Sequence, residues 1–397
     1  MAKHRLLALF LAGSLLLAGC WDRHEIDHLA FVLAWGVDQP RSGDELQITG
    51  VVARPAVLAG MERGGLMGGG GEKPYYLVKN RSKALNLALA GIVDFTPNQV
   101  DLFQVSAIIL GEDYARNGVR QMVDFTLRSQ EGRPTTYLFV TKGKAADFLA
   151  KASPKLKSSP AQALSGLMEA TEGPFTAFPV QAYQFAKALL TEGKDPVVPV
   201  VEIRGKAAPE NQEGVGPTGN STDAQEIRIT GLAVFRKDRL QGTLEGAQAR
   251  GVLWGLGKKL RRFTIESPRQ GETTISNITL KKRLAADVRD PQHLRLTLAV
   301  TAKGTVADWP RLKDRFDRQL KEELEKAMAA KIEREIRDSL KKVQKEWRSD
   351  VFGFGENLSR HHPQVWRRLK DNWPQVYAGL EVNIVVKPEL ATTQFGK

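Results

Sequence analysis

Leu294-Arg295-Leu296-Thr297-Leu298-Ala299-Val300-Thr301 is where the fold becomes readable. Leu294, Leu296, Leu298 and Val300 alternate with Arg295, Thr297, Ala299 and Thr301, the period of a strand with one buried face. Leu380, Val382, Ile384 and Val386 repeat that alternation near the C-terminus. Between the two strands, Pro310 to Trp347 reads as a long helical tract, with Leu312, Phe316, Leu320, Leu324, Met328, Ile332, Ile336 and Leu340 at intervals of four. A step of four residues rotates an apolar stripe by about 40° on a helix of 3.6 residues per turn. The tract therefore either breaks near Ala327–Ala330 or crosses two different partners. Glu322/Lys326 and Glu333/Arg337 are i,i+4 pairs on its exposed side. The apolar spacing is not heptad, which argues against a coiled coil. Strands in different settings, with a long helix between them, predict an α+β chain of mixed sheets with packed helices.

Upstream of the anchor stretch, Ile227 to Phe235 reads as a strand and Leu244 to Leu256 as a helix. Residues 206–225, with prolines and glycines and little apolar content, read as a linker. Before it, Leu29 to Val37 is a continuous apolar run, a buried strand, and Leu46, Ile48, Gly50 and Val52 mark its hairpin partner. Gly60 to Gly71 is glycine-rich and reads as a loop. Ser82 to Ala90 reads as a helix with Ser82 as its cap. Val105 to Leu110 and Pro134 to Val140 read as strands, and residues 160–170 and 180–192 as helices. Pro196 to Ile203 is a strand with two prolines, which places it at an edge. The expected organisation is residues 1–19 as a signal peptide, 20–205 as an N-terminal α+β domain, 206–225 as linker, and 226–397 as a C-terminal α+β region, divisible near 300 into two subdomains.

The first twenty residues have their own logic. Lys3 and Arg5 precede an apolar stretch, Leu6 to Leu17, that is too short to span a bilayer and has the length of a signal-peptide core. It ends Leu17-Ala18-Gly19-Cys20. Small residues before the chain's single cysteine are the pattern of a lipoprotein signal, so Cys20 is the expected lipidation site, carrying a diacylglycerol and, in some bacteria, an N-acyl chain. Two acyl chains give stable anchoring, at about 0.8 kcal/mol per buried methylene. The expected location is the outer face of the cell membrane, with no transmembrane helix. With that thiol consumed, no disulfide can form within the chain.

The formal net charge is +13. Basic chains meet nucleic acid or anionic membranes, and export argues against nucleic acid. Lys258-Lys259-Leu260-Arg261-Arg262, Lys281-Lys282-Arg283 and Arg367-Arg368 are either solvated surface or patches that rest on anionic headgroups.

Motifs that carry chemistry fail on context. His24-Glu25-Ile26-Asp27-His28 matches the zinc-peptidase pattern literally, with two histidines one helical turn apart and a glutamate to activate water. It lies four residues from the anchor and runs into a strand. His361-His362-Pro363 reads as a solvated helix-to-loop pair. Gly255-Leu256-Gly257-Lys258 lacks phosphate-loop spacing. No catalytic, cofactor-binding or metal-binding set is expected, which itself points to a binding or assembly role. A solute-binding lipoprotein of a transporter is the alternative class, although the alternating strand–helix repeats of paired lobes are missing.

One family matches these features in order. After the lipid signal comes Cys20-Trp21-Asp22-Arg23-His24-Glu25-Ile26, then Leu29 to Asp38. Glu131-Gly132-Arg133-Pro134 precedes a Thr-Thr-Tyr strand. Gly231-Leu232-Ala233-Val234-Phe235 continues to Gly242, and Asp350-Val351-Phe352-Gly353-Phe354-Gly355-Glu356 is followed by Pro363, Trp366 and Trp373. Together these resemble the Ger(x)C (GerAC-like) spore germination lipoproteins over the whole mature chain. The resemblance marks Trp21, Asp22, Glu131, Arg133, Pro134, Gly231, Val234, Phe235, Gly353 and Gly355 as signature residues. Gly132 departs from it, standing where relatives carry a bulkier residue. Burial in turns and core is the expected fate of Val234, Phe235, Phe352 and the Gly353-Phe354-Gly355 run. The resemblance implies a non-catalytic C subunit of a nutrient germinant receptor. Such a subunit assembles with two integral membrane subunits in the spore's inner membrane and supports nutrient-triggered germination.

Overall fold

The structure is a computed structural model that describes residues 29–39, 43–55, 57, 73–95, 98–129, 132–154, 157–169, 177–204, 226–267, 269, 271–290, 294–308 and 317–392. The expected signal peptide, Cys20, the His24–His28 motif, the glycine-rich stretch and the whole 206–225 segment lie outside the described residues.

The apolar run at the start of the described chain becomes strand β1 (Leu29–Asp38), and its antiparallel partner is β2 (Leu46–Ala53), which pairs with β3 (Tyr75–Ser82). On its other edge β1 pairs in parallel with two strands in succession. Leu29–Phe31 meets β4 (Gln99–Asp101), and Ala34–Val37 meets β5 (Ala107–Gly111). Parallel pairing continues to β6 (Tyr137–Thr141) and β7 (Val197–Arg204). The sheet closes with the antiparallel strands β8 (Glu226–Arg236) and β9 (Arg239–Glu245), nine strands in all. Helices cover both faces, as strands buried on two sides require. Helices α1 (Leu85–Ala90), α2 (Glu112–Asn117), α3 (Arg120–Arg128) and α6 (Ala182–Leu190) share one core with one face. Helices α4 (Ala145–Lys151) and α5 (Pro160–Glu169) share a second core with the other.

The second sheet is β10 (Leu260–Ser267), β11 (Gly271–Asp287), β12 (Arg295–Asp308) and β13 (Glu381–Thr392), with β12 and β13 parallel. Its apolar face packs with α7 (Gly246–Leu256), α8 (Arg318–Leu340), α9 (Phe354–His361), α10 (Pro363–Leu369) and α11 (Trp373–Gly379) in a third core. Its other face is open, and Lys281, Arg283 and Lys387 stand exposed on it. Among the described residues no helix is long and apolar enough to cross a membrane.

One open alternative is decided and three expectations change. Helix α8 runs unbroken through Ala327–Ala330. Its stripe drifts because it crosses two partners, as Lys331 donates to the carbonyl of Thr264 on β10 and Glu335 meets Arg250 on α7. A π-helical turn at Lys341–Glu346 follows it. Strand β7 is interior despite its prolines. Its ladder to β6 covers only Val200 and Val201, so at Pro199 it faces a single neighbour and the missing N–H costs nothing there. A division near 300 would cut β12, which is hydrogen-bonded to β11 and β13 along its length. Nor does the 206–225 segment separate two sheets, because β8 and β9, on its far side, complete the first one.

Candidate functional site

Strand β8 is where the two parts of the chain become one body. Leu232 and Val234 point into the third core, while Ala233 and Phe235 point into the core under α6. This is the period-2 rule applied with protein on both sides. Phe235 sits edge-on to Phe185 of α6 at 5.1 Å. Gly231 is dictated by closeness, since a Cβ there would lie 1.9 Å from the carbonyl oxygen of Leu244. At the tip of the β8–β9 hairpin, Lys237 adopts a left-handed conformation (φ 54°) and donates its N–H to Asp195 Oδ1 at 2.7 Å.

Asp195 leads to the polar centre of the molecule. Its other carboxylate oxygen accepts the N–H of Asp350 at 2.8 Å, and its own N–H donates to the carbonyl of Asp350 at 2.9 Å. Asp350 is buried. Its Oδ1 accepts from the N–H groups of Gly353 (2.8 Å) and Phe354 (3.1 Å), and its Oδ2 from Gly355 N–H (2.7 Å) and Trp373 Nε1 (3.1 Å). The carboxylate thus caps the start of α9, a favourable place for negative charge. Gly353 supplies the positive φ (84°) that turns the backbone toward it. Gly355 must lack a side chain, because a Cβ there would lie 2.6 Å from Gly193 Cα. The residues before Asp195 complete the seam. Glu192 accepts from Trp366 Nε1 (2.8 Å), the Gly193 carbonyl accepts from Glu356 N–H (3.0 Å), and Lys194 pairs with Glu356 at 3.0 Å.

Burial pushes the Asp350 carboxyl up to about 6, against the pull of its three backbone donors, and raises Asp195 too. Burial likewise lowers Lys282 to about 8, and its ammonium donates to the Phe352 carbonyl at 2.8 Å. Lys258, lowered by burial, lies 4.2 Å over the Phe178 ring. These two lysines therefore leave the basic patches read from sequence and belong to the interior side. The joint between the sheets is carried by Glu192, Gly193, Lys194 and Asp195, which bond to Trp366, Glu356 and Asp350.

The other readings resolve as follows. Val234, Phe235 and Phe352 are fully buried, and Phe354 nearly so, as expected. Arg133 and Pro134 are exposed, far along the chain from the seam, and their carbonyls hold Thr136 N–H and Tyr183 N–H. Trp21, Asp22 and Glu131 lie outside the described residues. Gly257 is the left-handed cap at the C-terminus of α7 (φ 70°), the negative end of a helix and the wrong end for a phosphate. His361 closes α9 and is exposed. Among the described residues no three metal-ligating side chains come together.

Two family models match the chain, one after the other. The spore germination protein N-terminal domain covers residues 22–203, and the spore germination B3/GerAC-like C-terminal domain covers residues 230–394. The chain belongs to the GerAC-like spore germination family. Relatives of this GerAC-like protein in Bacillus subtilis (strain 168) span its length. The putative spore germination protein YfkR is 26% identical over 94% of this chain and 92% of its own. Spore germination protein KC is 25% identical over 98% and 95%. The crystal structure of the GerBC protein shares the fold, with a TM-score of 0.54 at 16% identity, covering 93% of this chain and 99% of that one. The role is that of a germinant-receptor subunit, and nothing in these likenesses favours the transporter reading.

Asp350 stood inside a signature run but carried no separate sign of its role. An aspartate three residues before Gly-x-Gly is the available cue, since glycines let successive N–H groups converge on one carboxylate. Asp195 and Lys282 have no local cue; only the tertiary structure brings them to the seam.

Proposed function

We propose that this GerAC-like protein is a non-catalytic subunit that acts through its contacts. It is lipid-anchored at Cys20 on the outer face of the cytoplasmic membrane (the inner membrane of the spore) and assembles there with two integral membrane subunits of a germinant receptor. The observation that supports this reading is the seam itself. The densest group of perturbed ionisable residues is spent on joining two sheets into one rigid body rather than on facing a substrate. A body of that kind can hold two partners in fixed relation.

Deleting the gene tests the role. Spores should stop responding to the nutrients of that receptor while still germinating with a chemical trigger that bypasses receptors. Normal responses to every nutrient tried, with no paralogue present, overturn the reading. The anchor is tested separately. Cys20→Ala should abolish palmitate labelling and leave the precursor uncut, because the chain has no other thiol. Label persisting in that variant removes the anchor from the proposal.

A further inference from the structure

The exposed large hydrophobic residues among those described are Leu87, Phe95, Phe103, Leu127, Tyr183 and Leu190. All lie on the helical layer of α1, α3 and α6 or its connections. Four of them gather at one end, which the strand pairings locate. Strand β4 pairs with Leu29–Phe31, the first described residues, and Phe95 and Phe103 flank β4 on either side. Helix α3 runs back from the C-terminal end of β5, so its last turn, with Leu127, reaches the same end. There Phe125 and Thr126 line a small cavity with Leu102, Val105 and Thr136. Helix α6 starts there as well, since Tyr183 N–H donates to Pro134 and Ala182 N–H to Thr136, just before β6. Phe95, Phe103, Leu127 and Tyr183 are 57%, 52%, 49% and 42% exposed.

That end is also where the chain from the anchor enters the fold. Nine peptide steps separate Leu29 from Cys20, a reach of about 30 Å at full extension. We infer that the Phe95–Phe103–Leu127–Tyr183 rim is a membrane-docking surface that seats this end of the first sheet in the headgroup region of the lipid bilayer. The inference rests on the Cys20 anchor proposed above. Aromatic side chains favour the membrane–water interface, and apolar contacts there reach about 5–10 Å into the headgroup and acyl boundary. Charge is not the driving force. Arg133 is exposed, Arg128 is paired with Asp124 at 2.8 Å, and Asp94 and Asp101 stand beside the two phenylalanines. Apolar insertion guided by the short tether carries the contact. Leu87 and Leu190, away from this end, stay outside it.

Cys20 is the only cysteine, so once acylated it leaves a single introduced thiol free for labelling. Mature acylated protein carrying Phe103→Cys, Tyr183→Cys or Asn117→Cys is labelled with an environment-sensitive dye. It is then reconstituted in vesicles of phosphatidylglycerol and phosphatidylethanolamine with a shallow spin-labelled lipid. Asn117 ends α2, at the opposite end of the parallel strands. Dyes at 103 and 183 should be quenched roughly twofold more than the dye at 117, in keeping with interfacial depth. Protein that is acylated and vesicle-bound but equally quenched at all three positions overturns the rim and spares the anchor. Protein that carries no acyl chain and does not bind overturns both. Dyes at 103 and 183 that stay wet on lipid alone, and are shielded only in membranes containing the other receptor subunits, replace lipid with protein as the occupant.

Discussion

Asp350 is the residue on which the seam turns, and its chemistry sets a pH dependence. Its folded value of about 6 stands above the ordinary 3.8 because burial disfavours the charge. The native state therefore holds that proton more tightly than the unfolded chain does. The resulting stability is fully present below about 3.8 and is lost as pH rises through about 6, a change worth roughly 3 kcal/mol. Asp195 is raised as well and acts in the same direction. Urea unfolding of wild type and Asp350→Asn should therefore diverge in slope, with wild type losing stability between about pH 4 and 6 and the variant much less. The amide has its own constant cost, since its NH2 group faces the Gly355 and Trp373 donors. Two glycines give a paired contrast. Gly355→Ala drives a Cβ against the Gly193 backbone and should cost about 3 kcal/mol or more. At Gly132, the position that departs from the family pattern, a Cβ would make ordinary contacts of 3.5 Å with Thr126. Gly132→Ala should be neutral or stabilising by up to about 1 kcal/mol.

At the scale of elements, legibility followed burial. Strands β1, β2, β8, β12 and β13 show their period because one or both faces are apolar. Strands β10 and β11 carry no such clear sign. Their outer face is open, so Arg261 and Arg262 are both exposed on β10, Lys281 and Arg283 alternate with half-buried residues on β11, and a bulge at Asn277 (φ 52°) shifts the phase between Ile275 and Ile278. What looked like a basic cluster is partly the solvent face of a strand. Ser82 was expected to cap a helix but ends β3, and α1 begins at Leu85. Of the two surface pairs expected on α8, Glu333–Arg337 forms at 2.6 Å, while Glu322 turns to Arg318 at 2.8 Å. The candidate site was half legible. Asp350 and its glycines stand in one recognisable run, but the residues they meet across the seam, Gly193 and Asp195, lie some 150 positions away. Helix α8 meets α7 through a contact hidden in sequence: Glu335, almost wholly buried, accepts from Arg250 at 2.6 Å and from Trp254 Nε1 at 2.8 Å. Glu335→Ala leaves a guanidinium and an indole N–H without their acceptor and should cost about 3–5 kcal/mol. The near-UV circular dichroism of Trp254 and the urea midpoint report it; an unchanged midpoint would show the network to be dispensable.

At the scale of the molecule, hydrogen bonding and sequence segmentation disagree about where one part ends, and the disagreement can be tested by cutting. The family models stop at 203 and resume at 230, yet the ladder between β7 and β8 runs from Val197↔Val234 to Arg204↔Glu226 across that gap. If the ladder governs, the two pieces of a chain cut between 205 and 225 remain one particle. Phe235 and Leu240, from the second piece, are buried in the core of the first. At about 1.5–3 kcal/mol apiece they supply roughly 3–6 kcal/mol before any hydrogen bond is counted. The doubly hydrogen-bonded Asp195–Asp350 pair fastens the same two pieces at a second place. A protease site placed in the 205–225 segment should therefore be cleaved without dissociation. The fragments should co-elute in size exclusion at micromolar concentration and part only in denaturant. Residues 226–397 expressed alone should be insoluble, because β8 would present an unpaired edge and the apolar face bearing Ala233 and Phe235 to water. Clean separation of the cut fragments in native buffer, each monomeric and cooperatively folded, would show that the segment divides two independent domains and that the seam is an ordinary surface contact.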